Sequence, residues 1–171
     1  AGPMYMGAIS VFLFVLGLVV LQGTTKWWIA GISLLALLLG WGKHFMWLSS
    51  LFFDYVPLYN KFRVPSMILT ILQLTIPLLG FYSLHQIFSD KIEKKRVIKG
   101  LKLALGITGG FCLLFALLPS LAGSFTSPAD SQFPDWLQQA LPEDRQSMLR
   151  SDAFRSLLFI LAGAATIWAG Y

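Results

Sequence analysis

Apolar runs recur along this chain at about the length that a bilayer demands, and that feature constrains the fold more than any other. A hydrocarbon core about 30 Å thick requires roughly 20 mostly apolar residues per helix, and within it the backbone must pair its own polar groups. Five stretches approach this length, at residues 6–22, 26–40, 67–85, 101–123 and 153–171. The chain is 56% hydrophobic and 12% charged, whereas a soluble domain carries about 25% charged residues. Lipid must therefore solvate much of it. The expected architecture is an all-α integral membrane domain of about five transmembrane helices plus one or two interfacial helices, forming a single polytopic unit over residues 1–171.

Local signals refine this reading. Gly23, Thr24 and Thr25 supply turn chemistry between the first two runs, which should form a helical hairpin. Pro77 predicts a kink in the third run, and Gly109-Gly110 with Pro119 interrupt the fourth. Gly106, Gly109, Gly110, Gly163, Ala164 and Ala165 read as close helix contacts, while Thr70, Gln73 and Thr75 read as polar ties between helices. The lone Cys112 excludes an intrachain disulfide and reads as a small core residue. The chain starts at Ala1 without an initiator methionine or a basic leader, and its last apolar run stops at Tyr171. A fragment of a longer polytopic protein is therefore expected.

Lysine and arginine in short connections resist translocation and so orient the spans. Lys91, Lys94, Lys95, Arg96, Lys99 and Lys102 stand against Asp90 and Glu93, which places the loop at 86–100 in the cytoplasm. Alternation then places loops 41–66 and 124–152 outside. The second of these is acidic, with Asp130, Asp135, Glu143, Asp144 and Asp152 against Arg145 and Arg150. The net charge of +5 follows from this asymmetry and from anionic headgroups, so nucleic acid is not an expected partner; the lipid bilayer is. In the first outer loop, Trp41, Trp47, Tyr55 and Tyr59 favour headgroup depth, and residues 45–55 suggest a short amphipathic helix. In the second, Pro134 and Asp135 start a surface helix that Pro142 should end, with a new start at Pro142-Glu143-Asp144 leading into the last span.

Few residues could carry chemistry. Lys61 and Arg63, in PLYNKFRVPS, lie on the outer side where the charge bias disfavours cations, between Pro57 and Pro65. An arginine fork and a lysine point charge suit a lipid-linked phosphate, although the same two residues could simply reach headgroups. His44 and Asp54 could give polar support as acid and base, or serve only in interfacial ion pairing. Arg155 either pairs with Asp152, three residues before it, or reaches a ligand phosphate. No phosphate-binding glycine loop, HExxH or serine elbow occurs. No metal site or resident cofactor is expected, and the catalytic residues cannot be named from this stretch.

At PLYNKFRVPS the chain resembles the YfhO family of bacterial membrane proteins, in the form common in Bacteroidetes. GPMYMGAISVFLFVLGL from Gly2, WGKHF from Trp41, ITGGFCLLFALLP from Ile107 and LPEDRQSMLRSDAFRSL from Leu141 extend the likeness in the same order. The resemblance implies a multi-pass protein of the bacterial cytoplasmic membrane related to C-type glycosyltransferases, which use polyprenyl-phosphate sugars at the outer face in cell-envelope glycosylation. It also implies that the catalytic acid of such enzymes precedes this stretch, so the fragment alone should be inactive. Lys61, Arg63 and Arg155 then become the candidates for holding the donor phosphate. A transporter or lipid-flippase module, with Pro77 and Gly109-Gly110 as hinges, and a non-catalytic membrane scaffold are the alternatives.

Overall fold

The computed structural model describes residues 6–40, 50, 55, 68–119, 125 and 134–170. These residues contain no strand, and their helices are α1 (Ala8–Val20), α2 (Thr25–Gly40), α3 (Leu69–Phe88), α4 (Lys94–Leu117) and α5 (Asp135–Ala169). Three of them, α3, α4 and the Ala140–Ala169 part of α5, are long and apolar enough to cross a bilayer. The chain is an all-α membrane protein. The first two helices are shorter than the sequence suggests: 13 residues in α1 and 16 in α2 rise only about 20 and 24 Å.

Successive helices alternate in direction, so one end of the bundle gathers the α1–α2 link, the α3–α4 link and the end of α5. Gly23 turns the first link in the left-handed region at φ 101°, which suits a residue without a Cβ. The hairpin exists in connection but not in packing. Contacts between α1 and α2 are sparse; both helices pack instead on α3, and α1 also packs on α4 and α5. Phe12, Leu16 and Val20 of α1 are fully buried, in a core with Ile87 of α3, Val97 and Ala104 of α4, and Ile160 and Ile167 of α5. A smaller cluster joins Ala36 of α2 to Leu72 and Ile76 of α3.

The parallel pair α1 and α3 approach closely through glycine. A Cβ on Gly17 would lie 3.1 Å from the Leu79 carbonyl oxygen, and one on Gly80 would lie 2.9 Å from Leu13 Cβ. The small residues singled out from the sequence divide: Ala164 is buried in the main core and Gly109 is buried on α4, while the others are not. A Cβ on Gly106, Gly110 or Gly163 would meet nothing within 4 Å among the described residues, and only Gly109 comes near a neighbour, Leu157 at 3.4 Å. Gly106 and Gly110 are exposed because the packing seam of α4 runs along the face that carries Ala104, Thr108 and Gly109.

Two helix boundaries also move. The basic run is helical, with α4 starting at Lys94 and not at 101; lysine and arginine are good helix formers, and their stems carry the charge outward. α4 then passes through Gly109-Gly110 and ends two residues before Pro119. At the other boundary, the surface helix and the last span are one 35-residue helix that runs through Pro142. A proline removes a single rung, which a long helix tolerates near its end. The helix α3 likewise runs unbroken through Pro77.

Candidate functional site

Four of the five sequence-nominated side chains, Lys61, Arg63, His44 and Asp54, lie outside the described residues. The fifth, Arg155, is exposed on α5, as is Asp152. The α5 helix that carries Arg155 also borders an apolar groove between α1, α4 and α5. Met6, Ala8, Val11 and Val15 form one wall, and Ile107, Phe111 and Cys112 form another. The side chains of Ser156 and Ile160 complete it, and the volume is about 370 Å³. Arg155 directly precedes the lining Ser156 in α5 but does not itself line the trough, which lies in the half of the bundle remote from the basic run. Ile107 is 13 residues along α4 from Lys94, a rise of about 20 Å. Further out on α5, the Arg145 guanidinium donates to the Phe125 carbonyl.

The groove exists because α1 is narrow where it faces α4 and α5. Ala8 and the half-buried Val15 leave room that a larger pair of side chains would fill. Cys112 lines this groove while packing against the main core, half-buried. Apart from the Cys112 thiol, no titratable side chain is among the described residues that line the trough. What it can do is accommodate an unbranched or isoprenoid hydrocarbon.

At the opposite end the structure assembles a polar cluster that the sequence pointed to only as a charged loop. The C-terminal carbonyls of α1 have no intrahelical partners, and two cations from other segments satisfy them. Lys26 Nζ donates to Leu18 O at 3.0 Å, and Arg96 Nε donates to Val20 O at 2.9 Å. Both cations also lie at the negative end of the α1 dipole. Lys26 Nζ sits 5.4 Å from the centroid of the Trp27 ring, within cation–π range. Arg96 is 76 residues from its acceptor, and no local sequence pattern signals such a contact.

The α3 helix ends nearby in a Schellman arrangement. Asp90 adopts φ 51°, its N–H donates to Ile87 O at 3.2 Å, and the Lys91 N–H donates to Gln86 O at 3.3 Å. Among the polar residues of the spans, Thr75 does tie helices: Ser33 Oγ lies 2.8 Å from Thr75 Oγ1, joining α2 to α3, while Thr70 and Gln73 are exposed.

Comparison of the chain with protein-family models, with curated proteins and with solved structures finds no match.

Proposed function

We propose that this chain is the membrane portion of a YfhO-like protein that holds a polyprenyl-phosphate sugar for transfer to a cell-envelope polymer. The observation that carries the reading is the apolar groove between α1, α4 and α5, in the half of the bundle remote from the basic run; Arg155 is exposed on α5, one residue before the groove-lining Ser156. An isoprenoid tail would lie along Val11, Val15, Ile107 and Phe111. Its phosphate would remain at headgroup depth, where Arg155 and the outer-loop pair Lys61 and Arg63 supply positive charge, with His44 and Asp54 as polar support.

The orientation belongs to the same proposal. Lys26, Lys91, Lys94, Lys95, Arg96 and Lys99 share one end of the bundle, so loop 86–100 is cytoplasmic and loops 41–66 and 124–152 are outside, in a bacterial cytoplasmic membrane. The resemblance of the chain to the YfhO family supplies the chemistry; the groove supplies a place for the donor lipid.

A photoreactive polyprenyl-phosphate sugar, added to the full-length parent protein at fixed ionic strength, tests this. Val11→Trp, which fills the groove, and the triple change Lys61→Ala/Arg63→Ala/Arg155→Ala should each reduce labelling at least tenfold, about 1.4 kcal/mol. Equal labelling of wild type and both variants would reject the donor-lipid reading and favour a transporter module or scaffold.

A further inference from the structure

The basic end of the bundle encloses a second hollow, separate from the groove and of opposite character. It has a volume of about 210 Å³ and is lined by Gln22 from the α1–α2 link, Tyr82 and Gln86 of α3, Lys91 and Glu93 of the α3–α4 link, and Arg96 of α4. We propose that this hollow is a binding site for the phosphate headgroup of an anionic phospholipid.

Three links of structure make it one. The chain first fixes its donors. Gln86 Nε2 lies 3.2 Å from Tyr82 Oη and donates to it, which leaves the tyrosine O–H as a donor toward the hollow. Arg96 spends its Nε on Val20 O, which fixes the guanidinium plane and leaves both terminal nitrogens for a ligand, and an Arg fork suits the oxygen pair of a phosphate. Lys91 is held at the rim by the Schellman turn that follows α3.

Charge then favours an anion. Lys91 and Arg96 outweigh the single carboxylate of Glu93 within the hollow, and Lys94, Lys95 and Lys99 follow within the first turns of α4. Glu93, at the N-cap of α4, makes no side-chain capping bond, so the positive end of that helix dipole adds to the field.

Depth selects a lipid as the source of the phosphate. Trp27, Trp28 and Trp168 are 69%, 73% and 70% exposed, and all three lie at this end of the bundle, Trp168 lining a small recess with Lys94. Tryptophans so placed mark the headgroup level of a bilayer. A phosphodiester whose acyl chains run down the apolar outer faces of α3 and α4, past Phe81 and Leu103, would present its headgroup at the hollow, whereas a soluble phosphate would gain nothing from that apolar surface. The site stands independently of the donor-lipid reading above, because it uses neither the groove nor the outer loops.

The test is native mass spectrometry of the full chain, delipidated and titrated with phosphatidylglycerol, with phosphatidylcholine and inorganic phosphate as separate arms. Wild type should retain one phosphatidylglycerol through mild activation and prefer it over phosphatidylcholine about tenfold. Lys91→Ala/Gln86→Leu, which spares the Arg96 contact that caps α1, should abolish that preference. Lys99→Ala and Lys102→Ala, on the same basic face but outside the hollow, should leave it within about twofold. Equal losses in all variants would reduce the site to diffuse attraction, and an unaltered preference in Lys91→Ala/Gln86→Leu would remove it. Displacement of the lipid by millimolar inorganic phosphate would overturn the lipid assignment in favour of a free anion.

Discussion

The helices α1 and α2 are neighbours in sequence, both short and both apolar, yet the structure treats them oppositely. α1 packs on three helices besides its sparse contact with α2 and buries Phe12, Leu16 and Val20 completely, whereas α2 packs chiefly on α3 and leaves Trp28, Ile32 and Leu34 facing outward. In lipid, apolar character does not by itself draw a helix inward, because acyl chains solvate leucine as well as a protein core does. What separates the two is how closely they can be approached and how their ends are satisfied. α1 carries Gly17 against Leu79 and Ser83 and receives Val20 against Gly100, and its free carbonyls accept from Lys26 and Arg96. Beyond the Lys26 contact at its start, α2 has a polar tie from Ser33 to Thr75, and its Gly31 faces open space among the described residues.

That contrast can be broken by matched substitutions. Gly17→Leu should cost the most, about 3 kcal/mol or more, since the added side chain meets the Leu79 carbonyl and backbone must move. Unfolding in mixed micelles measures it, and a cost near zero would mean that the α1–α3 seam does not hold the bundle. Arg96→Ala should cost about 1–3 kcal/mol by leaving Val20 O unpaired. It should also accelerate amide exchange in the last turn of α1 but not in α2, and Arg96→Lys should recover part of the loss. For the α2–α3 tie, a double-mutant cycle with Ser33→Ala and Thr75→Val should return a coupling of about 0.6 kcal/mol, in line with hydrogen bonds between helices in membranes. A coupling above about 2 kcal/mol would show α2 to be anchored as firmly as α1. The smallest effect belongs to Gly31→Ala, expected within about 0.5 kcal/mol because nothing among the described residues lies within 4 Å of the added Cβ; a large loss there would erase the distinction between a central and a peripheral helix.

The helices themselves were legible in the residues, and most of their partners were not. Each apolar run became a helix and the turn at Gly23 fell where backbone chemistry placed it, while the fourth run, read as reaching 123 through Pro119, ends as a helix at Leu117. The basic run Lys94–Lys102 was harder to place, because its charge marks a membrane end while its helix propensity is high; both hold, and the helix begins outside the hydrocarbon. Pro142 signalled a break that a 35-residue helix did not need. Among the glycines, the adjacent pair Gly109-Gly110 drew more notice than the isolated Gly17, Gly80 and Gly100, yet only a facing helix decides which glycine makes room for it. Of the nominated site only Arg155 is described, and the groove next to its helix was announced by no motif, because its walls are ordinary valine, phenylalanine and isoleucine drawn from three separate helices.

The sequence by itself determined the medium and the secondary structure. A backbone in hydrocarbon must satisfy its own hydrogen bonds, and in a helix that is a local matter decided run by run. Only the tertiary structure decided which helix is central, where the apolar groove opens, and that Arg96 would reach the end of α1 to form one wall of a phosphate-sized hollow. The physical reason is that lipid makes the inner and outer faces of a helix equally apolar, so hydrophobic periodicity no longer distinguishes them. Close approach, end-capping and cavities then depend on surfaces from distant parts of the chain meeting.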